Sequence, residues 1–565
     1  MKKQSKSQQQ SSDPADLFSR AVSLFRAGNA NEAEAIGRKL LVSYPKNADL
    51  LNLLGIIQTQ RNNFEEAARF FEKIVAITPG NGVAYRNLGH ALSYLSKFNE
   101  ALAVYDKALA MGCGDSEIYH NRGIALYAFR KYDDALASCD KAITLDPRNA
   151  EAYSTRAAIL QDQKRYSEAL ASCDKAIAIN PNYAMAHNNR GLALNSLKQY
   201  DEALASYDKA IAINPCLAIA YNNRGLLLLN EMKRYSDALA SYEKAIAMRP
   251  DFANAYWNKS LFKLLQGDFE EGWKLYEWRW KRDDIDKKAI RTFQQPLWLG
   301  EESLTDKTIL LHAEQGLGDT IQFCRYAPLV QNLGAKVILE VQKPLVGLVS
   351  TLKGSFTIVA QDSELSAFDF HCPLMSLPLA FKTTLENIPA NVPYLSTDPE
   401  KLRTWQKRLG EKSKTRIGLV WSGAPIHKRD HSRSIPLNVL APLLQLDCEY
   451  HSLQKEVREQ DVEFLAGNHI VSHADHLQDF TDTAALVSEM DVIISVDTSI
   501  AHLAGALGKP IWVLLPLVPD FRWLTEREDS PWYPSARLFR QPRLNDWDSV
   551  IAKLMTELTV LISSK

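Results

Sequence analysis

The 565-residue chain is too long for one hydrophobic core, and its 46% hydrophobic and 24% charged composition is that of folded globular protein. With 66 Lys and Arg against 67 Asp and Glu, no global field favours nucleic acid or an anionic membrane. Seven cysteines, at 113, 139, 173, 216, 324, 372 and 448, never form a C-x-x-C pair, which argues against a disulfide framework or zinc site and fits a reducing, cytoplasmic setting. The opening MKKQSKSQQQSSDP has lysines but no apolar run behind them, so residues 1–12 are expected to be a disordered tail and not a signal peptide. The most apolar stretch, Val492 to Val518, is broken by Asp497, His502, Lys509 and two prolines, so no membrane span is expected.

From about Asp13 the sequence keeps a fixed period. Pro45, Pro79, Pro147, Pro181 and Pro215 fall at multiples of 34 residues, and Pro250 follows after 35. That is the length of a two-helix repeat. Gly55, Gly89, Gly123, Gly191 and Gly225 keep the same spacing, with Ala157 in one slot. Aromatics recur at Phe64, Phe98, Tyr132, Tyr166, Tyr200, Tyr235 and Phe269, each followed three residues on by a small residue, from Ala67 to Gly272. A small residue lets the first helix of a pair approach the second, and the aromatic is expected to fill the wedge at the turn. Proline ends the second helix, lacking an N–H and clashing with the preceding turn. The pattern is identified as tetratricopeptide. About eight units are expected over 13–285, the last degenerate: in EEGWKLYEWRWKRDD, Trp273, Trp278 and Trp280 replace alanines, as expected where a solenoid end docks on the next domain.

Two residues before the glycine slot stand Asn87, Asn121, Asn189, Asn223 and Asn258, with Leu53 and Thr155 breaking the series. A side-chain amide offers both a donor and an acceptor, so it can pair with a peptide unit without reading its side chains. The series resembles the asparagine ladder of O-linked N-acetylglucosamine transferases, which implies a protein or peptide partner along the superhelix. The plainer alternative is a polar helix face that tolerates Asn.

Near Lys288 the period stops, and short β-rich runs alternate with amphipathic stretches, the grammar of βαβ units and a parallel sheet. TILLHAEQGLGD reads as strand, glycine-rich turn and helix start, IQFCRYAPLVQNLG as that helix, and KVILEVQ as the next strand. TRIGLVWSG opens a second set, in which DVIISVD is a strand, TSIAHLAGALG a helix and KPIWVLLP another strand. Two lobes are expected, 286–412 and 413–565, joined near Pro399 to Lys414, with a cleft at the carboxyl ends of their strands.

Four clusters fall at those ends. Gly316, Gly318 and Asp319 form a turn whose glycines are expected to permit a tight bend and whose Asp is otherwise a helix cap. Trp421, Ser422 and Gly423 precede HKRDHSRSIPL, where His427, Lys428, Arg429, His431 and Arg433 make a phosphate clamp or a solvated loop. Ser452 to Glu456, including Gln454, follows a short strand. Asp497, Thr498 and Ser499 open a helix that carries His502 one turn in, a site suited to a pyrophosphate.

The order strand–GLGD–helix, strand–WSG, strand–DTS-x-x-H-L-A-x-x-L-G-x-P–strand, spanning about Thr308 to Pro516, resembles the lipopolysaccharide heptosyltransferases. The resemblance implies a GT-B fold of two facing Rossmann-like lobes behind the all-α repeat superhelix, 286–412 on the acceptor side and 413–565 on the donor side. It implies Asp319 as the base on the acceptor hydroxyl. It places the donor's diphosphate on Asp497, Thr498, Ser499 and His502, with Gly316, Gly318, Ser422, Gly423, Lys428, Gln454 and Glu456 around a nucleotide sugar. No metal and no cofactor are expected beyond the nucleotide-diphosphate sugar co-substrate, since N–H dipoles and cations can carry the leaving group. A glycine is usual in the family where Ser499 stands. The heptosyltransferases carry no repeats, and the fusion resembles O-linked N-acetylglucosamine transferases. The competing readings are a non-catalytic interaction scaffold with a degenerate GT-B domain, a nucleotide-dependent oxidoreductase and a Ser-His-Asp hydrolase. The oxidoreductase lacks an acidic residue where KVILEVQ ends in Gln342, and the hydrolase lacks a G-x-S-x-G elbow.

Overall fold

The computed structural model describes residues 13–282, 285, 291–425 and 430–563. The expected tail at 1–12 and Lys428 lie outside them. The chain divides into two compact units between Asn223 and Arg224, inside the helix Ala218–Asn230. Among the described residues no helix is long and apolar enough to cross a membrane.

The first unit is built of helix pairs, from Pro14–Arg26 with Ala30–Ser43 to Ala184–Ser196 with Tyr200–Ile213. Second helices end at Ser43, Ile77, Leu145, Ile179 and Ile213, and in each case one non-helical residue precedes the proline. Proline's ring forbids its predecessor the helical region, so the stop is local and steric. The repeating glycines face buried side chains of the second helix. A Cβ on Gly55 would stand 2.6 Å from the Phe71 ring, on Gly89 2.3 Å from Tyr105, and on Gly191 2.6 Å from Tyr207. The periodic aromatics at the turn do a different job: each starts its second helix, and Phe64 stacks on Tyr94 of the next pair at 4.3 Å. A cross-repeat clamp recurs as well. Arg122 reaches Asp106 of the preceding pair (2.8 Å) and Ser138 of its own (2.8 Å), and Arg156 and Arg190 repeat this on Asp140 with Ser172 and Asp174 with Ser206.

In the second unit the helices Tyr235–Met248, Ala253–Leu265 and Phe269–Tyr276 precede two all-parallel sheets. The first contains β1 (Thr308–His312), β2 (Lys336–Val341), β3 (Phe356–Ala360) and β4 (Phe370–Pro373), in the order β3-β2-β1-β4. The second contains β5 (Arg416–Val420), β6 (Glu449–Ser452), β7 (Ile470–Ser472), β8 (Val492–Val496), β9 (Ile511–Leu515) and β10 (Ala536–Arg540), in the order β10-β9-β8-β5-β6-β7. Counted from β5 this is 3-2-1-4-5-6, the doubly wound order whose direction reverses between β5 and β8. β5 and β8 are fully buried and, apart from Arg416 and Ser495, apolar, as strands covered on both faces must be. The stretch IQFCRYAPLVQNLG is not one helix: Leu317–Phe323 passes through a tighter turn at Cys324–Tyr326 into Ala327–Gln331. The link Pro399–Leu409 is a helix tied to the second sheet's side, with Lys401 Nζ on Asp482 at 2.8 Å and Trp405 buried.

Candidate functional site

The strand-end motifs of the second sheet meet at its reversal point. β8 delivers Asp497, and Thr498 turns the chain into the helix Ser499–Ala506, which no side chain caps. Its first N–H groups are therefore a place for an anion. One turn in, His502 is buried, its Nδ1 3.0 Å from the Tyr533 hydroxyl and its ring stacked on Trp523 at 5.6 Å. Its Nε2 lies 3.9 Å from Asp497 Oδ1, beyond a hydrogen bond. Burial holds the imidazole well below its usual range, so it is neutral. The Asp497 side chain is 15% exposed, and burial together with the charge of Asp520 pushes its carboxyl up to about 6.

From β5 come Trp421, Ser422 and Gly423. Arg433 lies against Gly423, where a Cβ would meet its Nη2 at 2.5 Å, and donates Nη1 to the Asp497 carbonyl at 2.9 Å. Arg458 donates to the Gly423 carbonyl at 2.9 Å and pairs with Asp430. Two guanidinium groups thus stand at the reversal point, and sequence reasoning had named only Arg433. Gln454 is a different matter: its oxygen accepts the N–H groups of Trp421 (2.9 Å) and Ser422 (3.0 Å), and its nitrogen donates to Ser422 Oγ (2.9 Å) and the Glu456 carbonyl (3.0 Å). That amide is saturated, so Gln454 brackets two strand ends and has no bond left for a ligand. Glu456 is exposed.

The first sheet supplies Gly316, Gly318 and Asp319. Neither glycine has a positive φ, so the expected tight-bend role is corrected. Gly318 is required by close approach: a Cβ there would stand 2.8 Å from His502 Cδ2 and 3.4 Å from Ser499 Cα. The helix Leu317–Phe323 therefore packs directly on Ser499–Ala506, and the GLGD and DTS-x-x-H motifs touch. Asp319 Oδ2 accepts from the Gly316 N–H at 2.8 Å, and Oδ1 pairs with Arg522. Arg522, 9% exposed, also holds Asp520 and Gln322, each at 2.7 Å. Arg522, Asp520, Trp523 and Tyr533 were missed by sequence reasoning. They lie at or beyond the end of β9, where the strand-end rule that found the other clusters also applies.

On the repeats, the Asn189 amide donates to the Ser154 carbonyl (3.2 Å) and Oγ (3.1 Å), and Asn223 donates to Asn188 Oδ1 at 3.0 Å. Both therefore knit adjacent first helices while keeping spare bonding capacity. Asn121 is buried; Asn87 and Asn258 are half-buried.

Tetratricopeptide-repeat models match residues 18–82, 86–150 and 219–277, and a second such model matches 150–183 and 184–215. Protein FlbA of Caulobacter vibrioides is 26% identical over 326 residues, 52% of this chain and 53% of that protein, so the chain spans about half the length of this curated relative. Among solved structures, a tetratricopeptide repeat protein from Parabacteroides merdae is 19% identical, covering 49% of this chain and 95% of that one at a TM-score of 0.33. Yeast Tom70 is 20% identical, covering 50% and 63% at 0.37. YrrB, described as a repeat protein with an unusual peptide-binding site, is 23% identical, covering 33% and 95% at 0.27. The helix pairs within residues 18–277 are tetratricopeptide repeats.

Proposed function

We propose that the two parallel sheets form a GT-B glycosyltransferase domain, similar to the lipopolysaccharide heptosyltransferases, that takes a nucleotide-diphosphate sugar. In this reading the repeats recruit a protein or peptide acceptor or partner. The observation that carries the proposal is the direct packing of GLGD on DTS-x-x-H at the reversal point of a 3-2-1-4-5-6 sheet. A diphosphate there would face the uncapped N-terminus of Ser499–Ala506 and the guanidinium groups of Arg433 and Arg522. Asp319 would accept the proton of the acceptor hydroxyl as its oxygen attacks the anomeric carbon. The bond from that carbon to the diphosphate oxygen breaks, and the nucleoside diphosphate leaves with the electron pair.

A second reading, a protein-interaction scaffold built on the same fold, is favoured by one feature: both Asp319 oxygens already hold hydrogen bonds, one of them to Arg522. Mass spectrometry separates the two. Incubation of the protein and candidate acceptors with UDP-, GDP-, ADP- and CMP-sugars should give sugar adducts or free nucleotide, both lost in Asp319→Asn. Turnover that survives that substitution refutes the base assignment, and none with any donor supports the scaffold.

A further inference from the structure

The first sheet reverses direction between β1 and β4, and the crevice at their carboxyl ends is where a doubly wound sheet receives a ligand. Here Glu314, just beyond β1, and Ser376, just beyond β4, flank that crevice, and a side chain of the same protein reaches them. Arg279 lies in the short helix Glu277–Lys281 that follows the last repeat helix, Phe269–Tyr276, and is 3% exposed. It clamps the Glu314 carboxylate through Nε at 3.3 Å and Nη2 at 3.1 and 3.2 Å. Nη2 also donates to Ser376 Oγ at 2.6 Å, and Nη1 donates to Glu277 at 2.6 Å. Ser376 in turn donates to Glu277 at 2.9 Å, which closes the network.

Next to this plug, Gln315 donates to the Tyr276 hydroxyl at 2.9 Å. Trp273 lies edge-on to Phe323, at the end of the Asp319 helix, and to Phe521, the neighbour of Arg522, at 6.1 and 5.6 Å. The terminal repeat therefore packs on both segments that carry the Asp319–Arg522 pair, the helix ending in Phe323 and the stretch beginning at Phe521. We propose that Arg279 occupies the β1–β4 crevice as an internal ligand, and that through it the terminal repeat positions the turn leading into the helix that bears Asp319. The repeat end is then a working part of the glycosyltransferase site, and the donor is left the β5–β8 crevice alone. Arg279 is a positioning residue, acting through Glu314 on Asp319. Its catalytic consequence rests on the reading of Asp319 as base, whereas the joint itself does not.

The test uses the full chain in two variants. Arg279→Met leaves Glu314 buried without its partner, and Arg279→Met/Glu314→Met replaces the pair by apolar side chains, which buried ion pairs commonly tolerate. Hydrogen exchange should quicken about tenfold or more across 313–323 in both, with the helix Tyr235–Met248 unchanged. For whichever nucleotide sugar the wild type turns over, kcat should fall by a larger factor than the donor KM rises, because Asp319 lies on the loosened segment while the ends of β5 and β8 do not. Wild-type exchange across 313–323 in both variants, or loosening spread evenly over the unit, overturns the joint. Absence of turnover in the wild type refutes the glycosyltransferase reading and leaves the exchange result to decide the joint by itself.

Discussion

Gly318→Ala distinguishes two reasons for the glycine by the sign of its effect. Gly318 is the second residue of the helix Leu317–Phe323 and its φ is not positive, so if it merely started a helix, alanine would stabilise by about 0.5–1 kcal/mol. The added Cβ, however, would stand 2.8 Å from His502 Cδ2 and 3.4 Å from Ser499 Cα. His502 has little room to yield, being pinned by the Tyr533 hydroxyl at 3.0 Å and stacked on Trp523. Taken at about 2 kcal/mol, the middle of the ~1–3 range for overpacking, the clash exceeds the propensity gain and leaves a net loss of roughly 1–1.5 kcal/mol. Urea unfolding followed by tryptophan fluorescence reads it directly, with wild-type m-value expected. A variant as stable as the wild type or more so would refute the direct packing of the two motif helices.

Arg522→Met should be costlier, about 3 kcal/mol by thermal or urea unfolding, because it strands the mostly buried Asp319 carboxylate and removes a partner of the half-exposed Asp520. For pH dependence, burial pushes the Glu314 carboxyl from 4.5 up to about 7 against the pull of Arg279. The native state then binds more protons than the unfolded chain between these values, so stability present at pH 4.5 is lost as pH rises to 7, by at most about 3 kcal/mol at ~1.4 kcal/mol per pH unit. Glu314→Gln should flatten unfolding curves in that window, and an unchanged slope would contradict the burial argument. Asn189→Ala with Asn223→Ala should weaken capture of an extended acceptor peptide, measured by fluorescence anisotropy, by roughly tenfold if each lost amide contact is worth about 0.5–1.5 kcal/mol; unchanged capture would remove these residues from the groove.

The repeats were legible because their rules are steric and local. Proline at 34-residue intervals stops a helix whatever surrounds it, and the glycine slots reported close helix contact correctly. What the spacing hid was the partner: Gly89 faces Tyr105 in the second helix, and the turn aromatics pack elsewhere. The turns inside the pairs were also missed. Each passes through a left-handed residue, but Gly28 and Gly267 share that slot with Asn62, Ser96, Arg130, Lys164, Lys198 and Lys233, so residue type gave no signal. β1, β2, β5, β8 and β9 announced themselves as apolar runs, whereas β7, only three residues long, offered little hydrophobic pattern, and β3 was passed over although Phe356–Ala360 is mostly apolar. In the site, the motifs on β1, β5 and β8 were found from their order along the chain. Arg522 was not, because it meets Asp319 across 203 residues of sequence. Nor could composition show that the unit boundary falls at Asn223, inside a helix of the repeat series.

The central claim, a nucleotide-sugar site at the β5–β8 crevice, is tested most directly by calorimetric titration of the full chain with UDP-, GDP-, ADP- and CMP-sugars, repeated on Asp497→Asn and His502→Ala. The account expects one nucleotide class to bind at a single site, weakened about tenfold or more in both variants and nearly unchanged in Asp319→Asn. Binding that ignores Asp497 and His502, or none across the panel, would contradict it.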